Sequence, residues 1–192
     1  LLLTLFLLRG HGVAAGAGRV CYASDVFTSS KHEDPWLIPQ GCTVLDLSFT
    51  AIGPEGAARL ADAVARRPLK GLNLTWSAIG HDGVPALARA ISSCPHLLML
   101  DLSGNWLGDA GILSVLTALA RSATVERLRL RWNALVGGSA AIWTSVLPRL
   151  GSLSTLDVGG NWLADVGVES VTRSLARHAS LRSLSLDYAG IE

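Results

Sequence analysis

Charged and chemically reactive side chains are scarce in this sequence. Only 16% of its 192 residues are charged, and 16 lysines and arginines against 15 acids leave a formal net charge of +1. That balance gives the chain no electrostatic reason to bind nucleic acid or an anionic membrane. Global disorder is excluded too, because disordered chains combine low hydrophobicity with high net charge, whereas 49% of these residues are hydrophobic.

Sequence motifs of enzymes, metal sites and cofactor sites are also missing. No stretch matches the phosphate-binding GxxxxGK[ST], the nucleophile turn GxSxG or the dinucleotide-binding GxGxxG. The five histidines do not pair at helical spacing and the three cysteines form no CxxC, so no metal site is predicted. We therefore expect a protein that is not an enzyme and that takes no cofactor and no small-molecule substrate.

The first 17 residues differ in composition from the rest of the chain. Residues 1–8 contain seven apolar residues and one threonine, which is too short a run to span a bilayer unaided. The Ala15-Gly16-Ala17 sequence fits a signal-peptidase site, so residues 1–17 are interpreted as a truncated signal peptide. The tail of a transmembrane helix and a helix that caps the core remain as alternatives. A signal peptide would favour export of the protein.

Residues 18–41 are predicted to be a linker or an N-terminal cap, because the segment is mostly polar and is interrupted by Pro35 and Pro39. Cys21 and Cys42 bracket it. In an exported protein these two cysteines could form a disulfide that staples the N-terminal end of the core. The alternative, which we favour, is that Cys42 fills an apolar site as a small buried side chain.

One pattern of apolar residues recurs six times and organises the remaining chain. It is anchored on leucines spaced 27, 28, 28, 28 and 28 residues apart. These anchors are Leu45, Leu72, Leu100, Leu128, Leu156 and Leu184. A period of that length predicts stacked structural repeats rather than an ordinary globular packing.

Each unit predicts a strand, a turn, a helix and a return loop. It opens with LxxLxL, whose period of two is typical of a strand with its fourth and sixth residues turned inward. The ninth position holds asparagine in three units, where its amide can bond backbone groups of successive turns as a ladder. These are Asn105, Asn133 and Asn161. Apolar residues of helical period follow, as in the segment from Ile112 to Leu119.

This pattern resembles leucine-rich repeats of the 28-residue kind found in ribonuclease inhibitor and in NOD-like receptors. The unit LDLSGNWLGDAGI, residues 100–112, carries the resemblance most clearly, and the likeness covers residues 42–192. It implies an α/β solenoid shaped like a horseshoe, of about six repeats with the last one truncated. A parallel sheet would line the concave face and helices the convex face. Such relatives are mainly intracellular, which opposes the export suggested by the N-terminal segment.

The unit that starts at Val125 departs from the pattern. Val136 and the pair Gly137-Gly138 follow its strand, and Pro148 lies late in its helical segment. Proline removes a backbone donor and clashes with the preceding turn. We expect an irregular or shortened helix here, with Trp143 at its core position.

The same unit carries three arginines at outward strand positions. Because Leu128 and Leu130 turn inward, the alternation predicts that Arg127, Arg129 and Arg131 line the concave face together. The flanking units place an acid at the position of the middle arginine, and these acids are Asp101 and Asp157. The set forms either a row of lateral ion pairs or a basic anchor for an acidic protein patch, and the second interpretation is slightly favoured.

Aromatic residues alternate between two positions of the repeat. Trp76, Trp132 and Tyr188 take the eighth position, at the strand's end, where rings beside arginines have the composition of a binding hot spot. Stacking of these rings on neighbouring repeats is the alternative. Trp106 and Trp162 take the tenth position and are interpreted as mainly structural.

These residues predict a protein-interaction module that binds a protein ligand on its concave face, through an acidic patch of that ligand, without catalysis of its own. The resemblance leaves two alternatives. Ran GTPase-activating proteins share the repeat type, but no catalytic or positioning arginine on a rim loop could be matched here. The chain could also resemble the ligand-sensing repeat region of a larger NOD-like receptor.

Overall fold

The computed structural model describes residues 18–27, 36–65, 67–137 and 140–191. The predicted signal segment, residues 1–17, lies outside these ranges. Within them, no helix is both long and apolar enough to cross a lipid bilayer.

Seven parallel strands form one sheet in sequence order, which confirms the predicted α/β solenoid. The strands are β1 (Arg19–Tyr22), β2 (Cys42–Asp46), β3 (Gly71–Asn73), β4 (Met99–Asp101), β5 (Arg127–Arg129), β6 (Thr155–Asp157) and β7 (Ser183–Ser185). The anchor leucines are register partners from strand to strand, as Leu100 is of Leu128 and Leu128 of Leu156. The 28-residue period is therefore the advance from one strand to the next.

A helix follows each of the first six strands. The helices are α1 (Ala23–Val26), α2 (Gly53–Val64), α3 (Val84–Ser92), α4 (Gly108–Leu119), α5 (Ala140–Val146) and α6 (Ala164–Leu175). Parallel strands require such crossover connections, and the helices bury their apolar stripe against the sheet. In α4, for example, Ile112, Val115, Leu116 and Leu119 are all buried.

The core is one continuous layer between the sheet and the helices. From β2 to β6 the inward strand residues are fully buried, because each lies between the equivalent residues of two neighbouring repeats. They are Leu45, Leu47, Leu72, Leu74, Leu100, Leu102, Leu128, Leu130, Leu156 and Val158. In β7, the last strand of the sheet, Leu184 and Leu186 are only partly buried.

The unit that starts at Val125 has the shortened helix that its sequence predicts. Helix α5 has 7 residues where α2, α4 and α6 have 12, and a short 3₁₀ turn, Leu147–Arg149, continues it at Pro148. Trp143 is fully buried in this helix. Its large ring occupies the position where neighbouring units place smaller aliphatic side chains.

Strand β1 was not recognised from the sequence. It pairs in parallel with β2 and extends the sheet by one strand before the first repeat. Cys21 in β1 and Cys42 in β2 are bridged as a disulfide, with their Cα atoms 5.9 Å apart, and both side chains are buried. The two interpretations of Cys42 are therefore compatible in this structure, since the bridge itself lies in the core.

Reducing this disulfide is expected to loosen β1 while the rest of the sheet is unaffected. The bridge closes a segment of 21 residues, and without it the edge strand is held by its pairing with β2 and by the packing of Val26 in the core. Hydrogen exchange should then speed up at the amides of β1 and stay unchanged in β4 to β6. Equal protection of β1 in the oxidised and reduced protein would contradict this expectation.

Candidate protein-binding face

The three arginines of the fourth repeat face outward from the sheet, opposite the buried Leu128 and Leu130. The register sets Arg129 directly between Asp101 on β4 and Asp157 on β6, as the sequence predicts. Every second residue of a strand lies on the same face of the sheet, so the three guanidinium groups lie in a row along one strand.

Two of these arginines already have acidic partners on the same face. Arg129 Nη1 lies 3.5 Å from Asp101 Oδ2, and Arg131 Nη1 lies 3.1 Å from Asp157 Oδ1. Arg131 thus pairs diagonally with Asp157, the register partner of Arg129, and Arg129 pairs with Asp101. The four side chains are between 14% and 28% exposed, so water screens these pairs only partly.

A third acid completes the cluster and was missed in the sequence. Asp187 Oδ2 lies 3.5 Å from Arg131 Nη1, and Ser185 Oγ lies 3.3 Å from the same nitrogen. Asp187 occupies the seventh position of its repeat, which is the position of Arg131 in its own. The alternation that placed Arg131 on this face could therefore have found Asp187 as well.

Arg127 is different from its two neighbours. Its side chain makes no hydrogen bond or ion pair with any residue that the structure describes, and its Nε is buried without an acceptor. Its register neighbours, Met99 on β4 and Thr155 on β6, carry no charge. The buried Nε is out of a ligand's reach, so a ligand carboxylate would pair with the Nη groups of this otherwise unpaired guanidinium.

Aromatic rings lie at the ends of the strands beside these arginines. Trp76 is 43% exposed, Trp132 44% and Tyr188 80%, and the rings of Trp132 and Tyr188 stack with their centroids 6.4 Å apart. The rings therefore stack on neighbouring repeats, as one of the two alternatives predicts, and still present area to solvent. Their role in binding stays a prediction.

The packing of these rings explains why glycine alternates with tryptophan at the eighth position. A Cβ atom on Gly104 would lie 2.4 Å from the Trp76 indole, and one on Gly160 would lie 2.4 Å from the Trp132 indole. The residue at the eighth position of the next repeat must therefore have no side chain, because the indole occupies that space. Both glycines also have positive φ angles, of 73° and 67°, which glycine adopts at little steric cost.

The interpretation of Trp106 and Trp162 as mainly structural does not hold. Their side chains are 65% and 77% exposed, which is more than Trp76 or Trp132. They lie beyond the strand ends, where the period of two no longer tells which way a side chain points. Among the described residues, the most exposed indoles are therefore those of Trp106 and Trp162, which the sequence predicted to be structural.

The asparagines of the ninth position are fully buried and bond from one turn to the next. Asn161 illustrates the pattern. Its Nδ2 donates to the carbonyls of Leu130 and Val158, at 3.0 and 2.7 Å, and its Oδ1 accepts from the amides of Asn133 and Leu135, at 2.8 and 3.2 Å. Asn105 and Asn133 make equivalent bonds to the preceding repeat, for instance Asn105 Nδ2 to Leu74 O at 2.7 Å and Asn133 Nδ2 to Leu102 O at 2.9 Å.

Side chains suited to catalysis do not converge anywhere in the described ranges. No three His, Cys, Asp or Glu side chains are placed to hold a metal ion there. A groove of about 550 Å³ near Arg67 and His96 contains two serines, but Ser92 and Ser93 donate their hydroxyls to carbonyls of their own helix. Burial raises the pKa of the Cys94 thiol to about 11, so this thiol stays protonated and unreactive at neutral pH.

Comparison with known proteins agrees with this architecture. A family model described as a leucine-rich repeat matches residues 43–61, 93–116 and 152–171. The chain is 31% identical over 77% of its length to protein NLRC5 of Homo sapiens. It is also 31% identical over 86% of its length to NACHT, LRR and PYD domains-containing protein 14 of Homo sapiens. It spans 8% and 15% of the length of these two relatives.

Among solved structures, the leucine-rich repeat-containing protein LegL7 from Legionella pneumophila matches with a TM-score of 0.56 and 24% sequence identity. The match covers 79% of this chain and 49% of that one. At this identity the likeness establishes the fold and nothing further.

Proposed function

Because this chain is a leucine-rich-repeat protein with repeats like those of NOD-like receptors, we propose that it is a protein-interaction module whose concave face binds a protein ligand. The binding surface comprises the outward strand residues Arg127, Arg129, Arg131, Asp101 and Asp157 with the rings of Trp76, Trp132 and Tyr188. Repeat solenoids use such extended faces for binding, and no constellation suited to catalysis is found among the described residues.

The observation that carries this proposal is the unpaired state of Arg127. Arg129 and Arg131 have acidic partners, whereas Arg127 has none among the described residues and its Nε is desolvated. A carboxylate of the ligand that accepted hydrogen bonds from this guanidinium would supply the missing charge. Arginine is well suited to this, because its planar fork can bind a carboxylate through two parallel bonds. We therefore propose that an acidic patch of the ligand docks around Arg127.

The stacked rings provide the apolar part of the same surface. Trp132 and Tyr188 already stack on each other, so part of the side-chain entropy that a ligand would remove is already lost. Large aromatic anchors beside arginine dominate the affinity of many protein interfaces. The ligand would thus meet a charge-selective centre at Arg127 and an apolar anchor at Trp132.

Charge reversal at Arg127 and removal of the Trp132 ring test this proposal. With a ligand captured by the wild-type protein, Arg127→Glu should slow association and reduce its dependence on salt, because the attraction acts before contact. Trp132→Ala should mainly speed dissociation and weaken binding by about 2 kcal/mol or more, the effect expected of a hot-spot residue.

Arg121→Glu, at an exposed position just after α4, is the matched control, since it changes charge equally on the convex side. It should leave affinity unchanged. If Arg127→Glu combined with Trp132→Ala also leaves affinity unchanged, the concave face is not the binding site.

A second candidate function, the ligand-sensing repeat region of a larger NOD-like receptor, is favoured by the likeness to the two human relatives. It shares the proposed binding face and differs only in what the repeats are attached to. Sequencing the full open reading frame tests it: a nucleotide-binding domain in the same frame would support this candidate, and a frame without one would exclude it.

A further inference from the structure

Exposed apolar side chains are concentrated on one edge of the solenoid, which we call the rim. The rim consists of the strand-to-helix loops together with the first turns of the helices that follow them, residues 49–57, 76–84, 104–112, 132–137, 160–168 and 188–191. Nine of the twelve large hydrophobic residues that are exposed among the described residues lie there. They are Phe49, Trp76, Trp106, Trp132, Val136, Trp162, Val166, Tyr188 and Ile191. Such a concentration on one edge marks an interaction surface, since exposed apolar residues are otherwise scattered singly.

The charges of the rim all have one sign. None of its residues is a lysine or an arginine, whereas four are acids. These are Glu55, Asp82, Asp109 and Asp165. The basic residues lie instead in the later turns of helices, in return loops and in strands. Among them are Arg67, Lys70, Arg89, Arg121, Arg149, Arg173, Arg177 and Arg182. The segregation is local, because the whole chain has a formal net charge of only +1.

Two rim segments repeat the same arrangement of an indole and a carboxylate. The third repeat reads Trp106-Leu-Gly-Asp109 and the fifth reads Trp162-Leu-Ala-Asp165. The fourth repeat joins them, since the backbone amide of Val136 donates to Asp109 Oδ1 at 3.1 Å and Val136 pairs with Trp162 in a parallel bridge. Asp165 makes no side-chain hydrogen bond or ion pair with any described residue. The loop at Val136 thus links the two indole-bearing segments of the rim.

Trp106 is held in an unfavourable backbone conformation. Its φ angle is 55°, a region that bulky residues rarely adopt and that Gly190 occupies at the same position of the last repeat. Glycine would fit there with less strain, and the Trp106 ring is 65% exposed, so little burial offsets the strain. Ala51, Ala78 and Ala134 adopt the same region at the tenth position of their repeats, so the strain belongs to the turn of the repeat. What points to contact with another molecule is the exposure of the Trp106 ring.

From these observations we propose that the rim docks a cationic, arginine- or lysine-rich segment of a partner protein, with its side chains on the faces of Trp106 and Trp162 and against Asp109 and Asp165. Indole faces attract guanidinium and ammonium groups, and carboxylates next to them add charge complementarity. Equivalent positions two repeats apart are separated by about 10 Å at the strand spacing, which an extended peptide covers in roughly three residues. The rim shares Trp76, Trp132 and Tyr188 with the proposed concave surface, but the four docking residues are not part of that surface. This proposal therefore does not depend on the proposed function.

Binding of a fluorescein-labelled octa-arginine peptide, followed by anisotropy, tests the proposal. Wild-type protein should bind it and should not bind an octamer of glycine and serine. Trp106→Ala with Trp162→Ala should weaken octa-arginine binding about tenfold, the combined loss of two exposed cation–π contacts. Asp109→Asn with Asp165→Asn should weaken it by a similar factor. An asparagine side chain at position 109 would keep an acceptor oxygen for the Val136 amide, so the loop should stay folded.

The matched control is Asp62→Asn with Glu126→Gln, which removes two exposed acids outside the rim. This pair should leave octa-arginine affinity within about twofold, as expected for charges that a peptide at the rim does not contact. Arg127→Glu should not weaken octa-arginine binding either, which separates this proposal from the concave-face proposal. If both rim double variants bind octa-arginine as tightly as wild type, or if the glycine and serine octamer binds equally well, the rim is not a cation-binding surface.

Discussion

Replacing Trp143 with alanine should be the most destabilising change in the described core, lowering the free energy of unfolding by about 3–5 kcal/mol. Its side chain is the largest that is fully buried, and it fills the irregular fourth repeat, whose helix is only 7 residues long. Alanine would leave a cavity that such a short helix cannot close. Because each repeat packs only on its neighbours, the loss should propagate to the third and fifth repeats.

Urea denaturation followed by far-ultraviolet circular dichroism measures this effect without relying on tryptophan fluorescence. Trp106→Ala is the matched control, since it makes the same substitution at a 65% exposed ring and should change stability by less than about 0.5 kcal/mol. Equal denaturation midpoints for the two variants would mean that Trp143 does not support the core of its repeat.

Asn161→Ala should lower the free energy of unfolding by about 3 kcal/mol, through backbone groups left unpaired. The substitution removes the hydrogen-bond partner of the carbonyls of Leu130 and Val158 and of the amides of Asn133 and Leu135. These four groups have no other partner among the described residues. Buried groups that lose their partner are destabilising by the full desolvation penalty. The same measurement of urea denaturation applies.

Asn73→Ala is the comparison for this variant. Asn73 is partly exposed, and its side chain bonds Thr75 in its own loop and Asp46 on the next strand, so its removal should lower stability by about 1 kcal/mol or less. If the two variants are destabilised equally, the buried ladder contributes nothing beyond an ordinary surface hydrogen bond.

The repeating part of the fold could be predicted because a single period fixes both the spacing of the strands along the chain and their parallel direction. Leucines at intervals of 28 residues give register partners in neighbouring strands, and the inward faces follow from alternation within each strand. The short helix of the fourth repeat was predicted from its departures from the pattern, but Pro148 accounts only for its end at Val146, whereas most of the shortening lies at its start, after Val136 and Gly137. Strand β1 lies outside the repeat and lacks its leucine pattern, so the same reasoning could not find it.

The binding face was predicted only where strand geometry applies. Alternation placed Arg127, Arg129 and Arg131 on one face, but a long side chain can reach diagonally as well as laterally. The pairing of Arg131 with Asp157 and Asp187 is such a case. The sequence therefore could not show that Arg127 would be the arginine left without a partner.

The exposure of Trp106 and Trp162 was not predicted because these residues lie between a strand and a helix, where neither the strand period nor the helical period applies. Several residues of the rim, among them Trp76, Trp106 and Trp132, have positive φ angles, which no pattern of hydrophobic residues predicts. The direction of an indole in such a loop depends on the neighbouring repeat. For Trp76 and Trp132 that neighbour offers a glycine to cover, and for Trp106 and Trp162 the ring remains largely in solvent.

The most direct test of the binding face is site-specific photo-crosslinking to a captured protein ligand. One crosslinker replaces Thr155, which is the register neighbour of Arg127 on the concave sheet, and a second replaces Leu113, which is 39% exposed on helix α4. A ligand on the proposed face should be crosslinked from position 155 and not from position 113. Crosslinks from position 113 with none from position 155 would place the ligand on the helices and contradict a concave binding face.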